Sequence, residues 1–278
     1  MKINVLKFDS LWHSIGNIVG KSENMKMTLN PPTVASMIVY AITNSQLAEL
    51  QVLMDKLVNE GKTNVLSLII KVISRPEILT RLVRTIMNDN SLWQKALQNS
   101  YRHENGFHKI VLMDGEYFKL RLHHFGATAK IPMENIHDHR WPFASSILSG
   151  ELKMDIFQRT DSTSDSEEVH HFIYKSDKSN GEYKTEEVGM AYLEKIEQRT
   201  YYPGETYLMR TDELHRITNQ DGDESMTLIL TGKPISKECN LYARREIKEE
   251  EKQLMHYSSE DLTQMLDEIL EFIYPQKN

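Results

Sequence analysis

Residues 136–152 of the sequence, IHDHRWPFASSILSGEL, and residues 214–219, LHRITN, are the stretches that decide the fold. His137 and His139 are two positions apart, so on an extended strand both imidazole rings project from the same face, close enough to bind one ion. Asp138 then points the opposite way and is not expected to be a ligand. A single His-x-His arises readily by chance, but here Gly150 closes a turn after an apolar segment, and His215 follows downstream.

Turn signals and short apolar runs extend outward from these stretches. Asp114-Gly115 and Asn180-Gly181 are typical of hairpins, and Asp221-Gly222 indicates a further turn. The runs between them tend towards a period of two, as residues 152–156 show. Many short strands with frequent turns predict an antiparallel barrel or sandwich. The predicted strands are 109–113, 117–124, 144–148, 152–158, 170–175, 192–198, 206–210 and 226–231.

Helical periodicity replaces this pattern on both flanks. Pro31-Pro32 and Gly61 indicate the start and the end of a first helix. After Cys239 the helical pattern returns, and Ser258 with Asp261 resembles a capping box before an amphipathic tail. We expect that tail to pack on this chain or on a second copy of it. The predicted helices are 31–61, 64–74, one beginning near Pro76, 91–98 and 258–273.

The quoted residues resemble the two motifs of the cupin superfamily. The histidine pair, Phe143 and Gly150 match the first motif, and His215 with Asn219 matches the second. The resemblance implies an all-β cupin barrel, a double-stranded β-helix or jelly roll, with helical N- and C-terminal flanks and an α+β character overall. We therefore expect three parts: a helical region over residues 1–100, the barrel with its metal site over residues 101–240, and a helical tail over residues 241–278.

Among cupins, the pattern is most similar to that of cysteine dioxygenase and related thiol dioxygenases, over roughly residues 105–240. Those enzymes use a Ser-His-Tyr relay on a late strand, where this chain has Leu228, Leu230 and Gly232. The cysteine that some of them cross-link falls at Phe143, and we find no match for the arginine that grips the substrate carboxylate. The metal ligands are thus retained without the substrate apparatus, which makes cysteine a poor substrate.

The same resemblance implies one divalent metal ion per chain, held by His137, His139 and His215. The first cupin motif usually carries a glutamate ligand where this chain has Phe143, so the site would hold three neutral imidazoles. Such a site leaves the charge of the ion uncompensated and should favour an anionic ligand, such as a thiolate or a carboxylate. The resemblance puts Fe(II) first, with Zn, Ni or Mn as alternatives.

Two functions from different classes remain open. The first is a metal-dependent enzyme, a mononuclear non-haem iron oxygenase or dioxygenase acting on a small polar metabolite that is an amino acid or thiol-like. The second is a non-catalytic metal-binding cupin that acts as a ligand sensor or scaffold. A barrel fold supports both, so the fold alone does not decide between them.

Three further residues are candidates for contact with a substrate. If Leu120 and the alternate residues up to His124 face the barrel interior, as the apolar phase of that strand predicts, His124 lies near the metal. Arg121 then faces outward. Tyr207 could reach the site from the strand before the third histidine, although a core position suits it equally, and Phe143 occupies the vacant glutamate position.

Composition excludes some classes of partner. The formal net charge of −7 argues against nucleic-acid binding, which needs a basic surface.

Cys239 is the only cysteine, so no intrachain disulfide can form. The sequence shows neither a signal peptide nor a run that is apolar enough to span a membrane. We expect a cytoplasmic protein with a small-molecule substrate and no nucleic-acid or membrane partner, and homodimer formation stays open.

Overall fold

The computed structural model describes residues 31–61, 64–103, 106–125, 134–176, 183–219, 223–245 and 255–273. The chain divides into two compact units, Met1–Val34 and Ala35–Asn278, and all elements below lie in the second unit except the first four residues of α1. The predicted absence of a signal peptide concerns residues outside the described ranges. So do the predicted turns at Asn180-Gly181 and Asp221-Gly222.

Helices precede the strands, and the predicted first helix is interrupted. Ser45 has a φ of 57°, and the N–H of Gln46 donates to the carbonyl of Ala41 at 2.8 Å. This left-handed turn satisfies the carbonyls at a helix end, so the prediction of one continuous helix over residues 31–61 was wrong. The helices are α1 Pro31–Thr43, α2 Leu47–Glu60, α3 Asn64–Ile73, α4 Pro76–Asn88 and α5 Asn90–Asn99.

Each predicted strand overlaps an observed one, and the structure has additional strands. They are β1 Tyr101–Arg102, β2 His108–Asp114, β3 Lys119–Phe125, β4 Ile136–His137, β5 Phe143–Ser149, β6 Leu152–Thr160, β7 Ser166–Ser176, β8 Tyr183–Tyr201, β9 Thr206–Met209, β10 Leu214–Ile217, β11 Ser225–Thr231, β12 Glu238–Ala243 and β13 Met255–His256. A last helix, α6 Ser259–Ile273, ends the described chain. Strand residues lie on both sides of residue 240, and the three-part division of the chain stays a prediction.

The strands form two antiparallel sheets. One is seven-stranded with the order β13-β1-β2-β3-β11-β5-β9, and the other closes on itself in the order β10-β4-β12-β7-β8-β6. Gly150 connects the two sheets at the turn between β5 and β6, with a φ of +67°. A Cβ atom there would lie 2.0 Å from the carbonyl oxygen of Glu224, so only glycine fits this turn. The predicted antiparallel barrel with helical flanks is confirmed.

Two buried apolar clusters lie on opposite faces of the closed sheet. Alternate residues of β6 divide between them, since Ile156 belongs to one cluster and Phe157 to the other. The intersheet cluster joins the two sheets and comprises Phe107, Phe125, Phe143, Ile147, Leu152, Met154, Ile156, Tyr207, Met209 and Ile229. The closed-sheet cluster comprises Ile136, Phe157, Val169, Ala191, Leu193, Leu214 and Tyr242.

The helices cover the outer face of the seven-stranded sheet, which is the face away from the intersheet cluster. Helix α3 packs against β5, β9 and β11, and α5 packs against β2. Leu120 and Leu122 of β3 pair with Leu230 and Leu228 of β11, and all four side chains are at most 1% exposed. Both faces are therefore buried at the centre of this sheet.

Helix α6 packs against α4 and starts as the sequence predicts. The Oγ atom of Ser258 accepts from the N–H of Asp261 at 3.1 Å, which is the predicted N-cap. The Nε1 atom of Trp93 in α5 donates to the Oγ atom of Ser259 at 3.0 Å. Among the described residues, no helix is both long enough and apolar enough to cross a membrane.

We predict that Leu266→Ala lowers the free energy of unfolding by about 2–5 kcal/mol, because it leaves a cavity under α6. Leu266 is 1% exposed, whereas Phe272 on the same helix is 55% exposed. Phe272→Ala is therefore the matched control and should change stability little. Urea unfolding of both variants measures the difference. Equal stability of the two variants would contradict the packing of α6.

Candidate metal centre

Cross-strand pairing brings the three histidines of the two motifs together. His137 of β4 lies directly opposite His215 of β10 in an antiparallel register, and their ring centroids are 4.6 Å apart. His139 follows β4 in the chain, and its ring centroid is 4.8 Å from that of His137 and 5.0 Å from that of His215. One ligand atom from each residue lies within 4.8 Å of the others. We call these residues the histidine triad.

The triad faces the intersheet cluster. On β10, Leu214 belongs to the closed-sheet cluster and Ile217 packs against the intersheet cluster, so His215 points to the same side as Ile217. The ring of His139 lies 4.9 Å from that of Phe143, edge to face. The site is thus built into the space between the two sheets.

Local hydrogen bonds fix the orientation of two of the rings. The Nδ1 atom of His137 donates to the carbonyl of Asn135 at 2.9 Å, and that of His215 donates to the carbonyl of Glu213 at 3.0 Å. Protonation of Nδ1 leaves Nε2 as the nitrogen with a free lone pair. This is the tautomer that binds a metal through Nε2 while the backbone orients the ring.

Burial favours the neutral form of two of the triad histidines. The pKa of His215 is lowered to about 3, by desolvation first and by the charge of His137 second, whereas the hydrogen bond to Glu213 opposes the shift. The pKa of His139 is also well below its usual value, because of burial first and then of the charges of His137 and His215. A neutral imidazole is the form that a metal ion requires, since protonation competes with binding.

These side chains can hold one metal ion. Coordinated imidazole nitrogens lie at about 2.0–2.1 Å from an ion such as Zn²⁺, which puts them roughly 3 Å from one another. The 4.8 Å limit in the structure therefore requires only a modest approach of the rings. In the part of the chain that the structure describes, no carboxylate or thiol joins this group.

Asp138 points away from the triad, as the alternation predicts. Its carboxylate accepts from the backbone N–H and from the Nδ2 atom of Asn240 in β12, both at 2.6 Å. Burial raises its pKa, and these hydrogen bonds oppose the shift. Asp138 therefore ties the ligand segment to β12 and supplies no ligand atom.

Phe143 lies against the triad. It is 5% exposed and belongs to the intersheet cluster, and its ring is 6.4 Å from that of His215. Tyr207 of β9 packs behind it, with ring centroids 6.0 Å apart, and stacks on Tyr201 at 4.4 Å. Burial raises the pKa of Tyr207 above its usual value. Tyr207 is thus one side chain removed from the triad, on the far side of Phe143.

The predicted phase of β3 was wrong, and with it the position of His124. Phe125 belongs to the intersheet cluster, so Arg121 and His123 share its inward face, and His124 lies on the outer face. The Nε2 atom of His124 is 2.7 Å from a carboxylate oxygen of Glu224. The error arose because helices bury the outer face, so the apolar alternation marked that face instead of the barrel side.

The same reversal turns Arg121 inward, where Trp141 lies between its guanidinium group and the triad. Arg121 is 9% exposed, and its guanidinium carbon is 5.5 Å from the ring centroid of Trp141. The ring of Trp141 is in turn 6.1 Å from that of His139. The charge of Arg121 lowers the pKa of His139 and, together with burial, that of Lys109 in the neighbouring strand β2. The sequence prediction had turned Arg121 outward.

The inward positions of β11 differ from those that the motif alignment compared with the relay. Leu228 and Leu230 face outward, and Thr227, Ile229 and Thr231 alternate with them on the inner face. Neither set contains a histidine or a tyrosine. The departure from the thiol dioxygenase pattern therefore holds for both faces of the strand.

No protein-family model matches the sequence, and no curated protein does. Among solved structures, an ectoine synthase from P. lautus is 11% identical over 56% of this chain and 91% of that chain, with a TM-score of 0.32. A sugar phosphate isomerase from a cupin superfamily, from Silicibacter pomeroyi, is 13% identical over 51% of this chain and 68% of that chain, with a TM-score of 0.29. A hydroquinone 1,2-dioxygenase from Sphingomonas sp. TTNP3 is 8% identical over 54% of this chain and 77% of that chain, with a TM-score of 0.30.

We predict that His137→Ala, His139→Ala and His215→Ala each remove most of the bound metal, because each deletes one of three ligands. Metal analysis of the purified variants after loading with Fe(II) or Zn(II) measures the loss, and circular dichroism checks the fold. His124→Ala is the control, since its ring faces the other side of the sheet, and it should retain full occupancy. Full occupancy in any triad variant would remove that residue from the ligand set.

We predict that Phe143→Glu weakens the binding of azide to the metal-loaded protein and raises its affinity for Mn(II). A carboxylate at this position lowers the net charge at the ion and supplies an oxygen ligand, which Mn(II) prefers. Phe143→Leu keeps the position apolar and is the control.

Thermal unfolding with and without metal shows whether the carboxylate of Phe143→Glu binds the metal or is only a buried, unpaired charge. If Phe143→Glu is destabilised equally in both states and binds azide as the wild type does, position 143 is core only. A buried unpaired carboxylate would then account for the loss of stability.

Proposed function

We propose that the protein is a metal-dependent enzyme, a mononuclear non-haem iron oxygenase that acts on a small polar metabolite carrying a negative charge. The observation that carries the proposal is the convergence of three histidines near an inward-facing arginine, from which only Trp141 separates His139. Thiol-like and amino-acid substrates both fit this description. The identity of the metal and the reaction type rest on the motif resemblance.

A metal held by the triad supplies open coordination positions and, as Fe(II), redox chemistry with oxygen. The protein has to bind and orient the substrate and to keep bulk water away. Phe143 and the rest of the intersheet cluster form the apolar side of the site. A dry site strengthens the attraction between a cation and an anionic substrate.

Arg121 is the residue that we assign to the charged group of the substrate. It extends from the inner face of β3 towards Trp141, which stacks on His139. Lys109 on the adjacent strand donates to the Oη atom of Tyr101 at 2.6 Å, and its pKa is well below the usual value because of burial and of the charge of Arg121. Arg121 and a divalent ion make the electrostatic potential of the site positive, which favours an anion.

The alternative function is a non-catalytic metal-binding cupin that acts as a ligand sensor or scaffold. One observation favours it: the inward positions of β11 are Thr227, Ile229 and Thr231, none of which is a strong acid or base. A sensor needs the metal and the anion site but no proton transfer. The two functions therefore predict the same binding and differ in turnover.

We expect the Fe(II)-loaded protein to consume oxygen in the presence of one or more members of a panel of thiols, amino acids and other small carboxylates. An oxygen electrode measures the rate, and product analysis identifies the substrate. Arg121→Gln should raise the KM for an anionic substrate at least tenfold, because a hydrogen-bonded charge pair is lost. Arg210→Gln, which alters an exposed ion pair with Asp212, should leave the KM unchanged.

The outcomes separate the two functions. Binding of panel members, measured by calorimetry, without oxygen uptake would favour the sensor. An Arg121→Gln variant with an unaltered KM would exclude Arg121 as the anion-binding group.

A further inference from the structure

His123 lies on the inner face of the seven-stranded sheet, beside Arg121 and opposite two polar residues of neighbouring strands. Antiparallel pairing sets it across from Thr227 of β11 and from Lys109 of β2. Directly paired residues project to the same face of a sheet. The ring of His123 is 4.7 Å from that of Phe107, which belongs to the intersheet cluster and thereby confirms the inward direction.

Two buried polar atoms at this pair of positions lack a protein partner. The Nε2 atom of His123 and the Oγ1 atom of Thr227 make no hydrogen bond to any described residue. A buried donor or acceptor that stays unsatisfied is costly, so native structures pair nearly all of them with protein or with another molecule. Two such atoms on adjacent strands, on the same face of the sheet, can both donate hydrogen bonds to one polar ligand.

His123 and the histidine triad border the same apolar cluster. The ring of His123 is 4.7 Å from that of Phe107, the ring of His139 is 4.9 Å from that of Phe143, and both phenylalanines belong to the intersheet cluster. Burial and the charges of Lys109, Arg121 and His103 hold the pKa of His123 itself well below the usual value. The ring is therefore neutral near pH 7, which suits it to donate a hydrogen bond and makes it a poor proton acceptor.

We propose that His123 and Thr227 form a polar wall that donates hydrogen bonds to the anion held at the histidine triad. The ligand class is a small anion with acceptor atoms, such as a carboxylate or a thiolate, bound between the metal and this wall. The inference rests on the proposed function in that a metal ion must occupy the triad. It assigns one donor from β3 and one from β11, at positions other than those that the motif alignment compared with the relay.

The chain provides a matched control in the next residue. His124 has the same side chain, one position along the same strand, but it faces outward and pairs with Glu224. His123→Leu removes the donor, His123→Gln retains one through its amide, and Thr227→Val removes the hydroxyl without changing the shape. His124→Gln keeps the contact with Glu224 and leaves the inner face untouched.

The experiment is a titration of the full-length Co(II)-loaded protein with azide, followed by the visible absorption of the metal, with metal content measured for every variant. We expect His123→Leu to weaken azide binding about tenfold or more, as the loss of one hydrogen bond to a charged group implies. Thr227→Val should weaken it several-fold, while His123→Gln should stay within a few-fold of the wild type. His124→Gln should bind azide as the wild type does.

The readout distinguishes the failure of this inference from that of the proposed function. A wild-type protein that binds no metal would overturn both. Full metal occupancy with unchanged azide affinity in His123→Leu would overturn the polar wall alone. If His123→Leu does not fold, the isosteric Thr227→Val decides, and an unchanged affinity in that variant overturns the proposal.

Discussion

The pairing of β4 with β10 is the constraint on which the candidate site depends. It joins two segments that are far apart in the sequence and sets His137 opposite His215 in a single register. β4 spans only two residues, but it is held on both sides, since β12 pairs with it and β10 pairs with β6 over four positions. A shift of one residue would turn every side chain to the other face and separate the two rings.

Short-range hydrogen bonds orient the rings that this strand pairing brings together. The carbonyls of Asn135 and Glu213, each two residues before a triad histidine, hold the rings in one tautomer. Asp138, between two triad histidines, fastens the segment to Asn240 with two hydrogen bonds. Because side chains alternate along the strand, the two histidines face the metal site and Asp138, on the opposite face, anchors the segment to β12. Preorganisation of this kind spares the site the cost of ordering its ligands on binding.

Much of the fold could be predicted from the sequence because turns and periodicity are local properties. Asp114-Gly115 and the alternating runs located most of the long strands, and Ser258 marked the start of the last helix. Local patterns did not predict which face of a strand points to the barrel interior, because that depends on how the sheets and helices pack. The run Leu120–Leu122 is apolar because helices cover the outer face of β3, so Arg121 and His123 were assigned to the wrong side.

The break between the first two helices follows the same logic. Asn44 and Ser45 carry a weak turn signal within an apolar stripe that continues on both sides. The stripe records which face is buried, and it does not record whether the backbone runs straight. For the candidate site, the motif spacing located the three converging histidines. The polar residues on β3 needed the strand register, which one sequence does not contain.

The two apolar clusters on opposite faces of β4, β6 and β10 have a consequence for the dynamics of the molecule. Of these strands, β6 and β10 contribute side chains to both clusters, so neither cluster can open without disturbing the other. The segments that carry His137 and His215 should therefore belong to the most slowly exchanging amides of the chain, which open only with the molecule as a whole. A metal ion at the triad would then raise the melting temperature of one cooperative transition, and its effect would not be limited to reducing the motion of a local loop.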